Sequence, residues 1–265
     1  MNAARYAVTM PEGPSVTRRV GVVLRALAGR EPAGSTTTRL AASVGLPRPT
    51  VHRLLTALEA EGMVERDGAT AAWHLGPECF LLGAAATARH AIAPVARSSV
   101  LRLAGETGES AFFSVRRGEE TVCLLREDGS FPIRSHVLHE GIRFPLGVAS
   151  AGLAILAFLP EGDRSAYLRS LPAPTPLPEG HSGAELEARI EETRRRGFAV
   201  NPGLIVPGSW GIGAAVFDRH GEPRWALSIT GIEQRLAPPR QAELGALLMR
   251  EAHVLSTRMA GPARS

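Results

Sequence analysis

Residues 35–62, STTTRLAASVGLPRPTVHRLLTALEAEG, decide how the front of this chain folds. Ser35 is a favoured N-cap residue and predicts a helix over 36–44. Leu40, Ala41 and Val44 recur at helical spacing and give that helix one apolar face. Gly45 has the backbone freedom that ends a helix. Pro47 and Pro49 stop one helix and open the next, because proline is tolerated in a first turn. The second helix is predicted over 49–61, with Val51, Leu54, Leu55 and Leu58 as its buried stripe. Its other face carries Thr50, His52, Arg53 and Thr56, all able to hydrogen-bond. Two helices joined by a tight turn are the arrangement that places a helix in the DNA major groove, its N-terminal residues against base edges. A plain pair of amphipathic helices accounts for the pattern equally well.

The next residues tip the balance. Residues 63–66 read as a short strand, Asp67-Gly68 as a hairpin turn and 71–75 as a returning strand. Helix-turn-helix followed by a β-hairpin is a winged helix, with Arg66 on the wing near phosphate or the minor groove. Another helix, over 15–28, supplies Val16, Val20, Val23, Leu24 and Leu27 to the same core, with Arg18 and Arg19 outside.

The segments Leu46-Pro47-Arg48-Pro49-Thr50-Val51-His52-Arg53-Leu54-Leu55 and Trp73-His74-Leu75-Gly76 resemble the recognition helix and post-wing motif of IclR-type bacterial transcription regulators. The family patterns are roughly Leu-Pro-Arg-Ser-Thr-Val-His-Arg-Leu-Leu and Tyr-Arg-Leu-Gly. The resemblance runs over about residues 15–258 and is tightest in the first domain. It implies an α+β protein: a winged helix-turn-helix over 15–76, a linker helix over 77–92, and a GAF- or profilin-like effector-binding domain over 93–258. Tails at 1–14 and 259–265 complete the expected layout. In the family the linker also takes part in dimer contacts, which the Gly/Ala-rich run after Glu78 permits. The expected partners are double-stranded DNA carrying a pseudo-palindromic operator, a small carboxylate effector, and further copies of the chain as a homodimer or tetramer. Arg53 and His52, with Thr50, are expected to read bases. Arg48, Ser35, Arg19, Arg66 and the backbone at Gly45 and Pro47 are expected to hold phosphates.

Composition agrees without carrying the argument. The chain has 265 residues and a net charge of +4, and all 30 of its basic residues are arginine, a side chain suited to bidentate contacts with phosphate and guanine. Residues 1–90 hold ten Arg against seven acidic residues, and 91–265 hold twenty against nineteen, so the excess leans toward the first domain. No run approaches the ~20 apolar residues of a membrane span, and the N-terminus lacks a signal-peptide core, so a cytoplasmic protein is expected. The two cysteines, Cys79 and Cys123, offer neither a disulfide framework nor zinc spacing.

In the second half, strands are predicted at 110–116, 120–126, around 136–138, at 210–217 and at 224–230. Helices are predicted at 94–107, 149–159, 185–196 and 238–258, with a Pro-rich loop at 172–180. Strands mixed with helices at both ends predict an antiparallel sheet flanked by helices. The segment 141–152, GIRFPLGVASAG, matches a family landmark commonly written Pro-Leu-His-Ala-Thr-Ala-x-Gly-Lys-Ala. Its small residues open a helix, and N–H groups at a helix start attract carboxylates. Ser150, Ala151 and Gly152 are therefore expected to meet the effector's acidic group, although small residues there also let a helix pack closely on a sheet.

In residues 201–213, NPGLIVPGSWGIG, the family carries an Asp and a Cys facing the ligand; the matching positions are Asn201 and Gly211. The landmark His and Lys become Gly147 and Leu153. Loss of the Cys side chain is expected to enlarge the cavity, and Trp210 to add an aromatic wall if it points inward; a surface or dimer-contact position is the alternative. Ser228 and Thr230 match hydroxyl-bearing positions. Together these departures imply an effector larger or more apolar than a two-carbon acid, such as an aromatic or acyl carboxylate.

Other signals carry less. His136 and His139 form an H-x-x-H pair without a third metal ligand nearby. The glycines of 208–213 have neither nucleophile-elbow nor dinucleotide spacing. Arg194-Arg195-Arg196 suits a helix C-terminus. No cofactor, metal or catalytic residue is expected. Two alternatives to a regulator remain at this point, an enzyme domain joined to a DNA-binding module and an architectural DNA-binding protein without a sensor.

Overall fold

The computed structural model describes residues 15–87, 92–133, 138–171 and 183–260. The tail at 1–14, the last positions of the linker helix (88–91), His136, the loop at 172–180 and residues 261–265 lie outside them. The chain forms two compact units that divide between Ala91 and Ile92.

The first unit contains α1 (Val16–Ala28), α2 (Thr37–Val44), α3 (Arg48–Ala60), β1 (Val64–Arg66), β2 (Trp73–Leu75) and α4 (Pro77–Thr87). Ser15 caps α1, its Oγ accepting the Arg18 N–H at 3.2 Å. Val23, Leu27, Leu40, Val51, Leu55, Val64 and Trp73 close into one core, so each helix buries the stripe its spacing marks out. Strands β1 and β2 pair antiparallel, with Val64 opposite Leu75.

Two local expectations are corrected. The N-cap of α2 is Thr36, whose Oγ1 accepts from Arg39 N, and not Ser35. Ser35 is drawn one step inward, exchanging backbone hydrogen bonds with Trp73 at 3.0 and 2.9 Å and leaving its side chain buried. The buried Trp73 indole explains the shift, because its N–H needs an acceptor and finds Thr37 Oγ1 at 3.0 Å. The wing turn is also longer than an Asp67-Gly68 pair. Asp67 Oδ1 accepts the N–H groups of Ala69 and Thr70, both at 2.8 Å, and organises the whole connection to Ala72.

The second unit begins with α5 (Ile92–Thr107), β3 (Ser110–Arg117) and β4 (Glu120–Glu127). It continues through β5 (Arg143–Pro145), α6 (Ser150–Phe158), α7 (Glu161–Ser170) and α8 (Gly183–Arg196). It ends with β6 (Ala199–Val206), β7 (Ser209–Phe217), β8 (Pro223–Ile232), the short α9 (Glu233–Leu236) and α10 (Arg240–Ala260). The strands form one sheet in the order β5-β4-β3-β8-β7-β6 with every neighbour antiparallel. The chain is thus α+β, as its sequence pattern predicted.

Strand alternation sorts the two faces. Ile212, Ala214 and Val216 of β7, Leu227 and Ile229 of β8, and Ala111 and Phe113 of β3 pack with α5 and α10. The intervening Ala215 and Ala226 pack with α6 and α8. Residues 150–157 of α6 are all buried, which is why SAGLAILAF is apolar all round and not amphipathic. Leu138 lies outside any strand, while β5, β6, α7 and α9 are elements the sequence reading did not predict.

Candidate functional site

Helix α3 builds the first candidate site. Val51, Leu55 and Leu58 anchor one side of it in the core while Arg48, His52, Arg53 and Thr56 stay exposed and Thr50 is half-buried. His52 Nδ1 lies 3.1 Å from Thr56 Oγ1, one helical turn on, a contact that restrains the imidazole. Arg66 sits over the Trp73 ring at 5.7 Å, so the wing arginine is held by the residue that ties the wing to α2.

Four positions expected to meet phosphates stand differently in the structure. The Ser35 hydroxyl is buried and is not presented to a backbone phosphate. Gly45 adopts φ 67° and its N–H is already given to Ala41 O, which also accepts from Leu46, while Pro47 has no N–H. The α2–α3 turn therefore offers no backbone donor at Gly45 or Pro47, because capping α2 consumes it. Arg19 is half-buried, with its Nε inside the unit, whereas Arg18 and Arg39 are exposed.

The second candidate site lies where the start of α6 meets β7 and β8. A cavity of about 20 Å³ opens there, room for roughly one water. Of the eight effector-binding positions expected from sequence, Ser150, Asn201, Trp210, Gly211 and Thr230 line it. Ala151, Gly152 and Ser228 do not: Ala151 and Gly152 turn into the packing of α6, and Ser228 lies one strand step deeper, opposite Gly213 and Phe112. Leu138, Ala149, Ile205 and Ser209 complete the lining. Sequence reasoning missed them because Leu138 and Ala149 stand in irregular chain, Ile205 and Ser209 lie at the β6–β7 turn, and nothing local marks any of the four as facing a cavity.

The chemistry of this corner is specific. Ala149 provides no side-chain cap for α6, and Ala149 and Ser150 are the residues of the helix start that border the cavity. Thr230 Oγ1 and Ser228 Oγ are both buried without a hydrogen-bond partner. They stand at alternate positions of β8 on the α6 side; Thr230 borders the cavity, where an oxygen-bearing guest would satisfy it, and Ser228 lies deeper. No charged side chain lines the cavity among the described residues.

Two side chains behave differently from expectation. Gly211 does not leave an enlarged cavity, because Ser150 occupies the space: a Cβ on Gly211 would stand 3.0 Å from Ser150 Oγ. Asn201 is buried and both ends of its amide are engaged. Its Nδ2 donates to Val148 O at 2.6 Å and its Oδ1 accepts Leu204 N–H at 2.9 Å. Trp210 is half-buried, borders the cavity and packs in part on the α5/α10 side of the sheet. No group of three or more His, Cys, Asp or Glu side chains is placed to hold a metal among the described residues, and no described helix is long and apolar enough to cross a membrane.

Comparison with known proteins places both units. Residues 16–68 match the IclR helix-turn-helix domain and residues 84–257 the bacterial transcriptional regulator IclR C-terminal domain. The HTH-type transcriptional regulator BhcR of Paracoccus denitrificans is 31% identical over 229 residues, covering 86% of this chain and 81% of that protein. The transcriptional repressor IclR of Escherichia coli is 28% identical over 219 residues, covering 81% and 79%. Among solved structures, an IclR transcriptional regulator from Alicyclobacillus acidocaldarius aligns with TM-score 0.74 and 26% identity over 95% of this chain and all of that one. An IclR homologue from Microbacterium hydrocarbonoxydans complexed with 4-hydroxybenzoate shares the fold at TM-score 0.73 and 22% identity, covering 92% of this chain and 99% of that one. These relatives are named as regulators and repressors, not as enzymes. With a winged helix-turn-helix joined to an effector-binding α+β domain and both of the family's domains matched, the chain belongs to the IclR family of bacterial transcriptional regulators.

Proposed function

We propose that this regulator reads a pseudo-palindromic operator through paired copies of α3 and changes its DNA affinity when a small organic acid occupies the α6 cavity. Residues 15–76 form the DNA-binding part, 77–92 the linker and 93–258 the sensor. The observation that carries the DNA half is the exposed N-terminal half of α3. Arg53, His52 and Thr50 face base edges, with His52 Nε2 available once Nδ1 is engaged by Thr56. Arg48, Arg66 and the exposed Arg18 and Arg39 supply phosphate contacts, which fix register without reading sequence. The working unit is a homodimer or a tetramer of two dimers. Phe80, Leu81 and Leu82 of α4, exposed by 75%, 57% and 49%, favour self-association.

With room for roughly one water the cavity takes an effector only by opening; the start of α6 at Ser150 then takes the carboxylate and the Thr230 hydroxyl a second polar group, while Trp210, Leu138 and Ile205 surround an apolar body. The 4-hydroxybenzoate held by the Microbacterium homologue has that shape. The DNA switch then follows if the effector prefers one arrangement of the paired DNA-binding units over the other. Acting on DNA, the protein works in the cytoplasm.

The test is fluorescence anisotropy with DNA from upstream of its own gene, with salt and random competitor varied. Arg53→Ala is expected to weaken operator binding by about 1–3 kcal/mol and leave random DNA less affected. An equal loss on both would overturn the base-reading role. A panel of aromatic and acyl carboxylates, added to the same complex, tests the sensor.

A further inference from the structure

The β6–β7 connection is not a simple hairpin. Asn201 pairs with Gly211, but the next pairing joins Val206 to Ser209, so residues 202–205 leave the ladder and arch away from β7. Gly203 in this arch lies against the indole of Trp210: a Cβ there would stand 3.6 Å from Nε1. Ile205 of the same arch and Trp210 both line the cavity. One wall of the cavity is therefore the segment where β6 loses register with β7.

Asn201 ties it to the start of α6. Its Oδ1 accepts the N–H of Leu204 inside the arch, and its Nδ2 donates to Val148 O, one residue before the N-cap of α6. One partner is a donor and the other a carbonyl, so an amide in this one orientation satisfies both, as an ionised carboxylate does not. We propose that Asn201 is the positioning residue of the α6 cavity, a latch that couples the 202–208 arch to the start of α6 and sets the cavity's closed shape. Its importance as an effector pocket rests on the reading above; the latch itself does not.

The residue type is what makes the latch distinctive. A carboxylate of the same size keeps the bond to Leu204 N–H but turns an acceptor toward the Val148 carbonyl, where two oxygens repel at hydrogen-bond distance. Protonating that carboxyl restores a donor. Asn201→Asp is thus a latch that opens when ionised and closes when neutral. The charged groups on the elements packed around this corner are those of α8, Glu185, Glu187, Arg189, Glu191, Glu192 and the arginines at 194–196, with Arg189 giving Nη1 to Gly147 O at 3.2 Å, and His139 and Glu140, which follow the cavity-lining Leu138. Helices and strands α6, β6 and β7 carry no charged residue, and the Arg224 of β8 stands at the far end of that strand from Thr230.

The experiment is hydrogen exchange with mass spectrometry on the full chain without ligand, expressed as protection factors so that the intrinsic pH dependence of exchange cancels. In Asn201→Asp at pH 7.5, peptides covering 202–208 and 149–153 are expected to lose about tenfold in protection, the scale of one broken buried hydrogen bond. Peptides of β3 and α10 keep theirs. At pH 4, where an ordinary aspartate is about half protonated and burial favours the neutral form further, the loss is largely repaired. Asn201→Ala, which removes both bonds and cannot titrate, shows the loss at both pH values and covers the case in which the Asp variant folds poorly. Unchanged protection in both variants overturns the proposal, as does a loss spread over the whole sheet that acid does not mend. A thermal-shift titration of the wild-type chain with 4-hydroxybenzoate separates the two claims: exchange that behaves as described without any ligand shift leaves the latch standing and removes this probe as effector.

Discussion

Gly211 and Gly213 stand two residues apart on the same face of β7, beneath the same helix, yet adding a methyl to each has different consequences. A Cβ on Gly213 would lie 2.8 Å from both the carbonyl carbon and oxygen of Ser150 and 3.0 Å from Ala151 N. Those are backbone atoms at the start of a helix buried on all sides, so α6 itself must move. A Cβ on Gly211 would meet Ser150 Oγ at 3.0 Å, the end of a side chain that can rotate away. Neither glycine has a positive φ, so steric contact alone separates them. Overpacking of this kind costs about 1–3 kcal/mol, offset by about 0.4–1 kcal/mol because alanine restricts the unfolded chain. Gly213→Ala is therefore expected to destabilise the second unit by about 1–2 kcal/mol, or roughly 2–4 °C in Tm for each kcal/mol. Gly211→Ala stays within about 0.5 kcal/mol of its parent, the range of a site that can relax. The assay is urea unfolding followed by tryptophan fluorescence in a Trp73→Phe background, where the remaining indoles, Trp210 and Trp225, both report on the second unit. If Gly213→Ala equals its parent in stability, or Gly211→Ala loses more, the close approach of α6 to β7 is not what the small residues serve.

Further outcomes follow from single contacts. Thr37→Val removes the acceptor of the buried Trp73 indole N–H and should lower the stability of the first unit by about 1–3 kcal/mol, read as a loss in its thermal transition; no change would mean the indole finds another partner. Thr230→Val replaces a partnerless buried hydroxyl with a methyl and should leave Tm unchanged or raise it, while abolishing whatever carboxylate response the wild type shows; a fall in Tm of several degrees would place a hydrogen bond where none is drawn. Burial, and then the charge of Glu140, push the Cys123 thiol up to about 12. Iodoacetamide at pH 8 is expected to label the half-buried Cys79 and spare Cys123 until urea is added, and equal native labelling would contradict its burial. The same shift has a sign: the unfolded thiol ionises near 9.0 and the folded one does not, so this group's contribution to stability declines as pH rises from about 9 toward 12.

Much of the first unit was legible because its signals are local. The spacing of Val51, Leu55 and Leu58 marks a buried stripe wherever the helix sits, and the residues opposite it are exposed by the same geometry. The errors there share one cause, a distant partner. Ser35 has the side chain of an N-cap, and only Trp73, 38 positions on, explains why it is buried in a strand pairing while Thr36 does the capping. Gly45 and Pro47 looked like phosphate-facing backbone until the Ala41 carbonyl was seen to take the donors.

The cavity divides along the same line. Sequence by itself determined the family and the fold class. It also determined that small residues open α6 and that hydroxyls recur at alternate positions of β8, since period and residue type are properties of a single segment. Only tertiary structure decided what those residues do together. It let Ser150 fill the space left by Gly211, sent Ala151 and Gly152 into packing instead of the cavity, and left Thr230 and Ser228 without partners. It also spent the Asn201 amide on Val148 and Leu204. A side chain's chemistry is written in its own residue, but whether its donors and acceptors are free depends on atoms brought beside it from 53 positions away as readily as from three.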